Sequence, residues 1–583
     1  MKQFFLRVSF FPELIISGLF IIAYIIKIYF PGLVLFQVPL VSYANSVTNI
    51  FVYLIPIIVA ISLLAQWSYY ASFENLLRKG TFTLVILIPL FILWGDQEFT
   101  FWLSSVHLLS SIITLYEPLV KENMSQKGSR FTPGVNNEFF WGFSPPQIVI
   151  FTFFLLIFIG TALLTLPIST LKEVDLIDHL FIITSAACVT GLSTLDIGTH
   201  YTTFGQLVIL GVVQIGGLGI MTLSTSLGIF MGRSMAVKER LVVQDILDIT
   251  NLDQMADLVL DILKITAILE IIGAVLLTGV FVHSGMDFAK SLYFGVFHSV
   301  SAFCNAGLSL FPNNLEGYTT NVVLNFTVSM LVILGGIGFW VIKDVIYCFK
   351  TNKNYKLGIT DLSLHSKIAI STSLILIFAG ALIFFISEYM SVLYPYNLTE
   401  KLMISLFHSV SARTAGYNTV PMSSITSQAL FTLIILMFIG ASPGSTGGGI
   451  KTTTFAILWQ SVRATLSGKG QVEFFKRAID SFIVVKSIAL TFVSLGLVCV
   501  FTIMLIKFEP NKDFLSLLFE AVSAFGTVGL STGITGSLSA MGKITIILLM
   551  FIGRVGPLTL VLGIVQSRGS EAVDYPKEKV IIG

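Results

Sequence analysis

Charge is scarce in this chain. Asp, Glu, Lys and Arg make up 11% of its 583 residues, against 55% hydrophobic residues, where a soluble domain carries about 25% charged residues. That excludes a soluble enzyme or carrier and makes the chain an integral membrane protein. A formal net charge of +2, with no basic run interleaved with aromatics, excludes a nucleic-acid partner. Cysteine is scarce as well. Cys188, Cys304, Cys348 and Cys499 are scattered without CxxC or His-rich spacing, which leaves no disulfide framework and no zinc site, only packing. No HExxH, Ser-His pair or Asp dyad falls at one depth, so nothing supports an enzyme. After the basic start Met1-Lys-Gln-Phe-Phe-Leu-Arg7 there is no small-residue cleavage site, so the apolar stretch from about Leu14 reads as a retained helix and not a signal peptide.

What is abundant is apolar sequence in runs. Residues 1–143 hold runs near 14–36, 48–70, 81–94 and 99–119. The third is short against the ~20 residues needed to cross the hydrocarbon, but Trp94-Gly-Asp-Gln-Glu98 reads as a turn after it. Four helices place Lys2/Arg7, Arg78/Lys79 and Lys121/Lys127/Arg130 on one side, as the positive-inside rule asks. This extension carries no recognisable chemistry and reads as a structural or partner-binding flank.

Beyond it one phrase recurs four times: Ser185-Ala-Ala-Cys-Val-Thr-Gly-Leu192, Ser301-Ala-Phe-Cys-Asn-Ala-Gly-Leu308, Ser411-Ala-Arg-Thr-Ala-Gly-Tyr417 and Ser523-Ala-Phe-Gly-Thr-Val-Gly-Leu530. Each copy lies between long apolar stretches. A loop at membrane depth survives only where its backbone lines a cavity or is buried in protein, so the phrase reads as a pore loop whose carbonyls replace an ion's hydration shell. The chain then divides into the extension 1–143, repeat one at 144–236, repeat two with its preceding linker at 237–356, repeat three at 357–466 and repeat four with the tail at 467–583. Each repeat is a first helix, a short pore helix, a loop and a second helix. The first helices are predicted near 147–168, 257–282, 366–388 and 482–507, the pore helices near 175–186, 287–302, 399–412 and 512–524, and the second helices near 204–231, 321–348, 427–460 and 540–566. The fold class is therefore all-α polytopic membrane protein, four helix–pore-loop–helix repeats around a pseudo-fourfold pore plus N-terminal transmembrane helices.

Glycines reinforce the register: Ile215-Gly-Gly-Leu-Gly219, Leu334-Gly-Gly-Ile-Gly338, Ile439-Gly-Ala-Ser-Pro-Gly444 and Ile552-Gly-Arg-Val-Gly556. Counted from the loop glycine (191 to 216, 307 to 335, 416 to 440, 529 to 553), the spacings are 25, 28, 24 and 24. Close packing between membrane helices accounts for any single glycine; the matched position in four repeats points to a shared architecture. The linkers carry Arg233/Lys238/Arg240, Lys343/Lys350/Lys353/Lys356 and Arg463/Lys469/Lys476/Arg477, and the tail Arg568/Lys577/Lys579. Linkers and C-terminus are thus cytoplasmic and the loops open outward.

These motifs, together with Ser442-Pro-Gly-Ser-Thr-Gly-Gly-Gly-Ile-Lys451-Thr and Phe551-Ile-Gly-Arg-Val-Gly-Pro-Leu558, resemble the Trk/Ktr/HKT superfamily of potassium transporters, and most closely the bacterial Ktr/Ntp-type membrane subunit. The resemblance spans about residues 144–566; the N-terminal extension departs from it. It implies potassium uptake across a bacterial cytoplasmic membrane, a homodimer, and a cytosolic nucleotide-binding regulatory subunit, with no cofactor in this chain. The filter glycines Gly191, Gly307, Gly416 and Gly529 are all Gly, which in the family goes with potassium; serine at the first position, in plant relatives, goes with sodium. Val189-Thr190, Asn305-Ala306, Thr414-Ala415 and Thr527-Val528 supply the remaining filter carbonyls, so potassium at the filter is the one metal ion expected.

The stretch with Ser442, Pro443, Gly444, Gly447, Gly448 and Gly449 breaks a helix and in the family is a mobile gate. It is not a phosphate loop, since Ile450 separates the glycines from Lys451. Arg554 is read at mid-helix, where an arginine costs about 2.5 kcal/mol or more; it is assigned to the gate, with an ion pair to Glu270 as the structural alternative. Arg413 and Glu520 are assigned to bracing the filter. His298 and His408 occupy the position of Glu520 in their repeats and read as hydrogen-bonded structural histidines, with a metal or proton relay as the alternative. A sodium-coupled symporter remains a rival, although no second cation site is evident. A structural scaffold would leave the four phrases unexplained.

Overall fold

The computed structural model describes residues 34–35, 38–39, 145–219, 255–351, 362–557 and 559. The helices expected at 48–70, 81–94 and 99–119 lie outside the described residues. The helix expected over 14–36 is corrected at its end. Val34–Leu35 pairs antiparallel with Val38–Pro39, just after Pro31-Gly32, a pair that cannot continue a helix.

From Pro145 the chain runs four times through a long helix, a short one, a loop and another helix. The first helices are Pro145–Leu164, Met255–His283, Leu364–Glu388 and Ser481–Phe508; the pore helices are Leu176–Ala187, Phe288–Phe303, Leu398–Ser411 and Phe514–Gly526. Among the described residues three helices, Leu260–His283, Leu364–Glu388 and Ser481–Phe508, are long and apolar enough to cross a membrane. Their outer faces stay apolar and exposed, with Ile271 at 63%, Ile375 at 66% and Phe492 at 79%, a surface that only lipid or another apolar surface accommodates. The pore helices are the reverse. Phe181, Phe297, Phe519 and Phe525 are buried in the centre of the bundle.

Local signals set each start. The pore helices begin at Asp175, Asp287, Asn397 and Asp513, and the second helices at Thr202, Asn321, Thr426 and Ser539. The latter four accept from the backbone N–H three residues on, at 3.3, 3.0, 3.4 and 3.1 Å, so one orphan donor of each helix is satisfied by an N-cap.

The second helices are shorter than the sequence predicts. Repeat three's is interrupted where the glycine stretch predicts a break, and the others are not continuous over 204–231, 321–348 and 540–566 either. The first ends at Leu218 and the fourth at Val555, each followed by a glycine in the left-handed region, Gly219 (φ 84°) and Gly556 (φ 90°). The second, Val322–Gly336, meets Phe339–Phe349 at 98° across Gly338 (φ 99°). In repeat three, Ser427–Phe438 and Thr452–Leu466 are separated by the loop 439–451. A left-handed residue cannot propagate a right-handed helix, so Gly219, Gly338 and Gly556, the last glycines of the runs in repeats one, two and four, are the stops.

One buried ion pair joins the last repeat to the first. Lys543 Nζ lies 2.5 Å from Asp178 Oδ1, with the side chains 12% and 8% exposed. Lys543→Met strands a buried carboxylate and is expected to cost about 3 kcal/mol. Thermal unfolding in detergent should show a lowered midpoint, and adding Asp178→Asn should restore most of it. An unchanged midpoint for the single variant would mean that the pair contributes nothing.

Candidate functional site, a ring of four loops over an internal loop

The four loops share one backbone conformation. Val189, Asn305, Thr414 and Thr527 have φ of 55°, 61°, 71° and 49°, and the glycines two positions on have φ of 95°, 63°, 76° and 95°. Three of these non-glycines are β-branched, for which positive φ is an outlier, and each such residue costs on the order of 1–3 kcal/mol. The strain persists because the loops are tied to their pore helices. The residue before each glycine donates its N–H to the carbonyl of the phrase serine: Thr190 to Ser185 at 2.7 Å, Ala306 to Ser301 at 2.7 Å, Ala415 to Ser411 at 2.9 Å and Val528 to Ser523 at 2.8 Å. The serine hydroxyls add a second tie in two versions. Ser185 and Ser523 accept from Gly191 N and Gly529 N at 3.0 and 3.1 Å. Ser301 and Ser411 instead donate to Leu308 O and Tyr417 O, one residue further along, at 2.9 and 2.5 Å.

The loops close into a ring. A Cβ placed on Gly191 would fall against Ala306 O, one on Gly307 against Ala415 O, one on Gly416 against Val528 O, and one on Gly529 against Thr190 O. The order is one to two, two to three, three to four, four to one. Each glycine thus lets the next repeat's backbone approach where any side chain would block it. The C-terminal ends of the four pore helices meet this ring, and the negative end of a helix dipole favours a cation.

The first glycines of the glycine runs that end the second helices have a similar role one layer out. A Cβ on Gly216, Gly335 or Gly553 would strike the carbonyl of Ala187, Phe303 or Phe525, at the end of its own repeat's pore helix. The matched spacing therefore reflects backbone contact. Repeat three departs, since Gly440 faces Gly448 O, part of the loop that interrupts its helix.

That internal loop sits beneath the ring. Gly448 N donates to Thr527 Oγ1 at 3.0 Å, and Gly447 lies against Thr414 Oγ1, so it touches two of the strained ring residues. Ser442 N and Thr446 N donate to Gly336 O and Gly335 O at 3.0 and 3.2 Å, satisfying carbonyls that the end of a helix leaves open. Gly444 O accepts from Phe339 N at 2.9 Å, just past the bend. The loop borders a cavity of ≈ 730 Å³ whose lining includes Pro443, Gly449, Lys451 and Arg554.

Arg554 is not at mid-helix. It occupies the last turn of Ala540–Val555, where the dipole favours a cation. Its guanidinium donates to Thr446 O of the loop, to Gly216 O at 2.5 Å and to Gly217 O at 3.3 Å. It thereby caps the end of repeat one's second helix and holds the loop. The alternative ion pair with Glu270 is corrected: among the described residues, Glu270 Oε2 accepts from Gln214 Nε2 at 3.3 Å instead.

Arg413 lies buried behind the ring, donating to Ser373 O and Oγ at 3.2 Å each and to Gly440 O at 3.5 Å. Glu520 is buried and accepts from Ser531, just past the fourth loop, and from Thr535 at 3.1 Å. His298 bonds Phe294 O and Ser309 Oγ at 2.8 and 3.1 Å; His408 stacks on Phe384 at 5.1 Å. Among the described residues no group of three or more His, Cys, Asp or Glu is disposed to hold a metal ion. Sequence reasoning quoted the phrase serines without giving them a role and passed over the N-cap series. The recurrence of both at fixed offsets from the loop glycine was the available signal.

Four short helices aiming their C-termini at a closed ring of strained loops, inside a lipid-facing shell, define a polytopic membrane protein with a central pore. Residues 139–572 match the TrkH family of cation transport proteins, and the chain belongs to that family, one of ion transporters and not of enzymes. It is 40% identical over 443 residues to the Ktr system potassium uptake protein B of Bacillus subtilis, covering 76% of this chain and 97% of that one. It is 38% identical over 449 residues to the potassium/sodium uptake protein NtpJ of Enterococcus hirae, with the same coverage. The crystal structure of the potassium transporter TrkH from Vibrio parahaemolyticus aligns with a TM-score of 0.59 at 16% identity, covering 90% of this chain and 98% of that one.

Ser523→Ala removes the acceptor of a buried N–H, that of Gly529. Such a loss costs about 1–3 kcal/mol, and the expected result is a lower thermal midpoint in detergent, with Ser185→Ala similar. If neither variant moves the midpoint, the serines do not hold the loops.

Proposed function

We propose that this protein carries potassium into the cell through the ring, with the loop 442–449 and Arg554 as its gate. The observation that carries the reading is the closure of four left-handed glycines into one ring. Alternating positive and negative φ turns successive carbonyls toward the same side, and four such segments about one axis can replace an ion's hydration shell. The filter is formed by Val189, Thr190 and Gly191, by Asn305, Ala306 and Gly307, by Thr414, Ala415 and Gly416, and by Thr527, Val528 and Gly529. Potassium is the substrate, as the names of the relatives support. The reading that sodium also passes is favoured by one relative named for both ions.

Arg413 and Glu520 brace the filter from behind, the first on the break at Gly440 and the second on the outer segment at Ser531. The protein resides in the bacterial cytoplasmic membrane with linkers and C-terminus in the cytoplasm, as the basic linkers support. It pairs as a homodimer and takes a cytosolic nucleotide-binding subunit beneath the pore, so that any nucleotide sits on that partner. Rescue of a potassium-uptake-deficient bacterium at low external potassium, with sodium varied, tests the reading. No rescue by well-inserted protein would sink it.

Gly191→Ser puts a side chain against Ala306 O and displaces the ring at its first junction. The expected outcome is a lower ratio of potassium to sodium uptake; an unchanged ratio would argue against a filter at this position.

A guanidinium stays charged in proteins and at about 4 Å opposes a cation by about 4 kcal/mol at an effective dielectric of about 20. Arg554→Ala removes that barrier together with the bonds that hold the loop, so flux per inserted protein should rise. Arg554→Lys should keep much of the barrier. Loss of folded protein with no gain in flux per molecule would make Arg554 a brace and not a gate.

A further inference from the structure

The four quarters of the ring are not held alike, and repeat three is the outlier. Its phrase is one residue shorter, with five positions from Ser411 to Gly416 where the other repeats have six. Its glycine N–H, like that of Gly307, lacks the serine hydroxyl found at Gly191 and Gly529; it reaches Ser411 O at 3.3 Å. Support comes from the neighbouring repeat. Asn314, in the outer loop of repeat two, donates from Nδ2 to Gly416 O at 3.3 Å. The partner is a carbonyl, which only accepts, so the amide nitrogen must face it. In the other direction Tyr417 Oη donates to Leu308 O at 3.3 Å. Further bonds fasten the same two segments: Leu315 N to Asn418 O at 3.1 Å, Asn418 Nδ2 to Glu316 Oε1 at 2.8 Å, and Thr319 Oγ1 to Thr419 O at 2.6 Å.

Asn314 is built for this place. Its φ is 52°, in the left-handed region that Asn tolerates better than other side-chain-bearing residues. Among the described residues, Gly416 O is the one filter-glycine carbonyl that receives a side-chain donor.

We propose that Asn314 is a specificity-determining residue, acting through the Gly416 carbonyl; this deepens the uptake reading and rests on it. A carbonyl that shares its lone pairs with an N–H presents a weaker field to a passing ion. Sodium is smaller and more strongly hydrated and needs the stronger field to offset its dehydration, so weakening one carbonyl favours potassium. The donor also fixes the direction of a carbonyl that its own shorter loop holds loosely.

The test uses the full chain in the potassium-uptake-deficient bacterium, with KM and maximal rate measured separately for potassium and sodium. Asn314→Gly removes the donor and keeps the left-handed backbone at no steric cost. Asn314→Asp keeps the shape and replaces the donor by an acceptor. Both are expected to lower the potassium-to-sodium preference about threefold or more, a ratio matching the loss of one modest hydrogen bond, mainly through a lower KM for sodium. Tyr417→Phe removes the reciprocal bond without touching Gly416 O and should leave the preference within about twofold of wild type. Wild-type preference in both Asn314 variants, even with reduced maximal rate, would overturn the inference and make Asn314 a turn residue. An equal shift in Tyr417→Phe would overturn it too, because the junction as a whole and not the donor would then set the preference. If wild type accumulates potassium and the Asn314 variants keep its ratio, this inference alone falls; if wild type accumulates neither ion, the uptake reading falls with it.

Discussion

A helix that stops inside a membrane leaves up to four carbonyls with no partner and no water. Three of the second helices stop or turn sharply at a left-handed glycine, and the fourth is interrupted by a loop. The structure resolves the resulting deficit with parts borrowed from other repeats. Thr446 and Ser442 of repeat three satisfy the end of repeat two's helix, and Arg554 of repeat four satisfies the end of repeat one's. The loop and the arginine therefore sit against the ring and the helix ends for a structural reason, and any movement away must replace those bonds.

This constraint links structure to gating. If the loop gates as proposed, swinging it aside uncovers Gly335 O and Gly336 O and breaks the guanidinium's bond to Thr446 O while those to Gly216 O and Gly217 O stay, so opening would be a concerted change with an energetic threshold. The broad cavity beside the loop supplies space for the displaced segment, and water entering that cavity would take over some of the lost bonds.

Much of the fold was legible because the chain repeats itself. The phrase at Gly191, Gly307, Gly416 and Gly529 fixed where the loops lie, since four copies at matched spacing are hard to explain otherwise, and apolar length marked the first helices. Of the helix breaks only the one in repeat three was legible, marked by Pro443 and its glycines; the other three were not. Hydropathy continues past Gly219, Gly338 and Gly556, and a sequence does not disclose which glycine adopts positive φ. Arg554 was misplaced for the same reason: a residue in the last turn of a helix looks like one at the centre when the stop is unseen. Its partners, backbone carbonyls with no side-chain signature, left Glu270 as the visible candidate. Asn314 was invisible because its acceptor lies 102 positions away in a segment joined to it only by the ring.

The unequal anchoring of the four loops has a consequence for how such a pore can change over generations. In a channel assembled from four copies of one subunit, every replacement enters fourfold and the aperture shifts symmetrically or fails. Here a single chain encodes all four quarters, so one altered codon perturbs one wall while three keep their shape. Ser185 and Ser523 can remain tied in one manner while Ser301 and Ser411 drift to another. A one-residue deletion such as the short third phrase is survivable when an adjoining segment takes up the slack. Covalent linkage of the quarters turns ion preference from a property that must jump into one that can be adjusted in small, separately heritable steps.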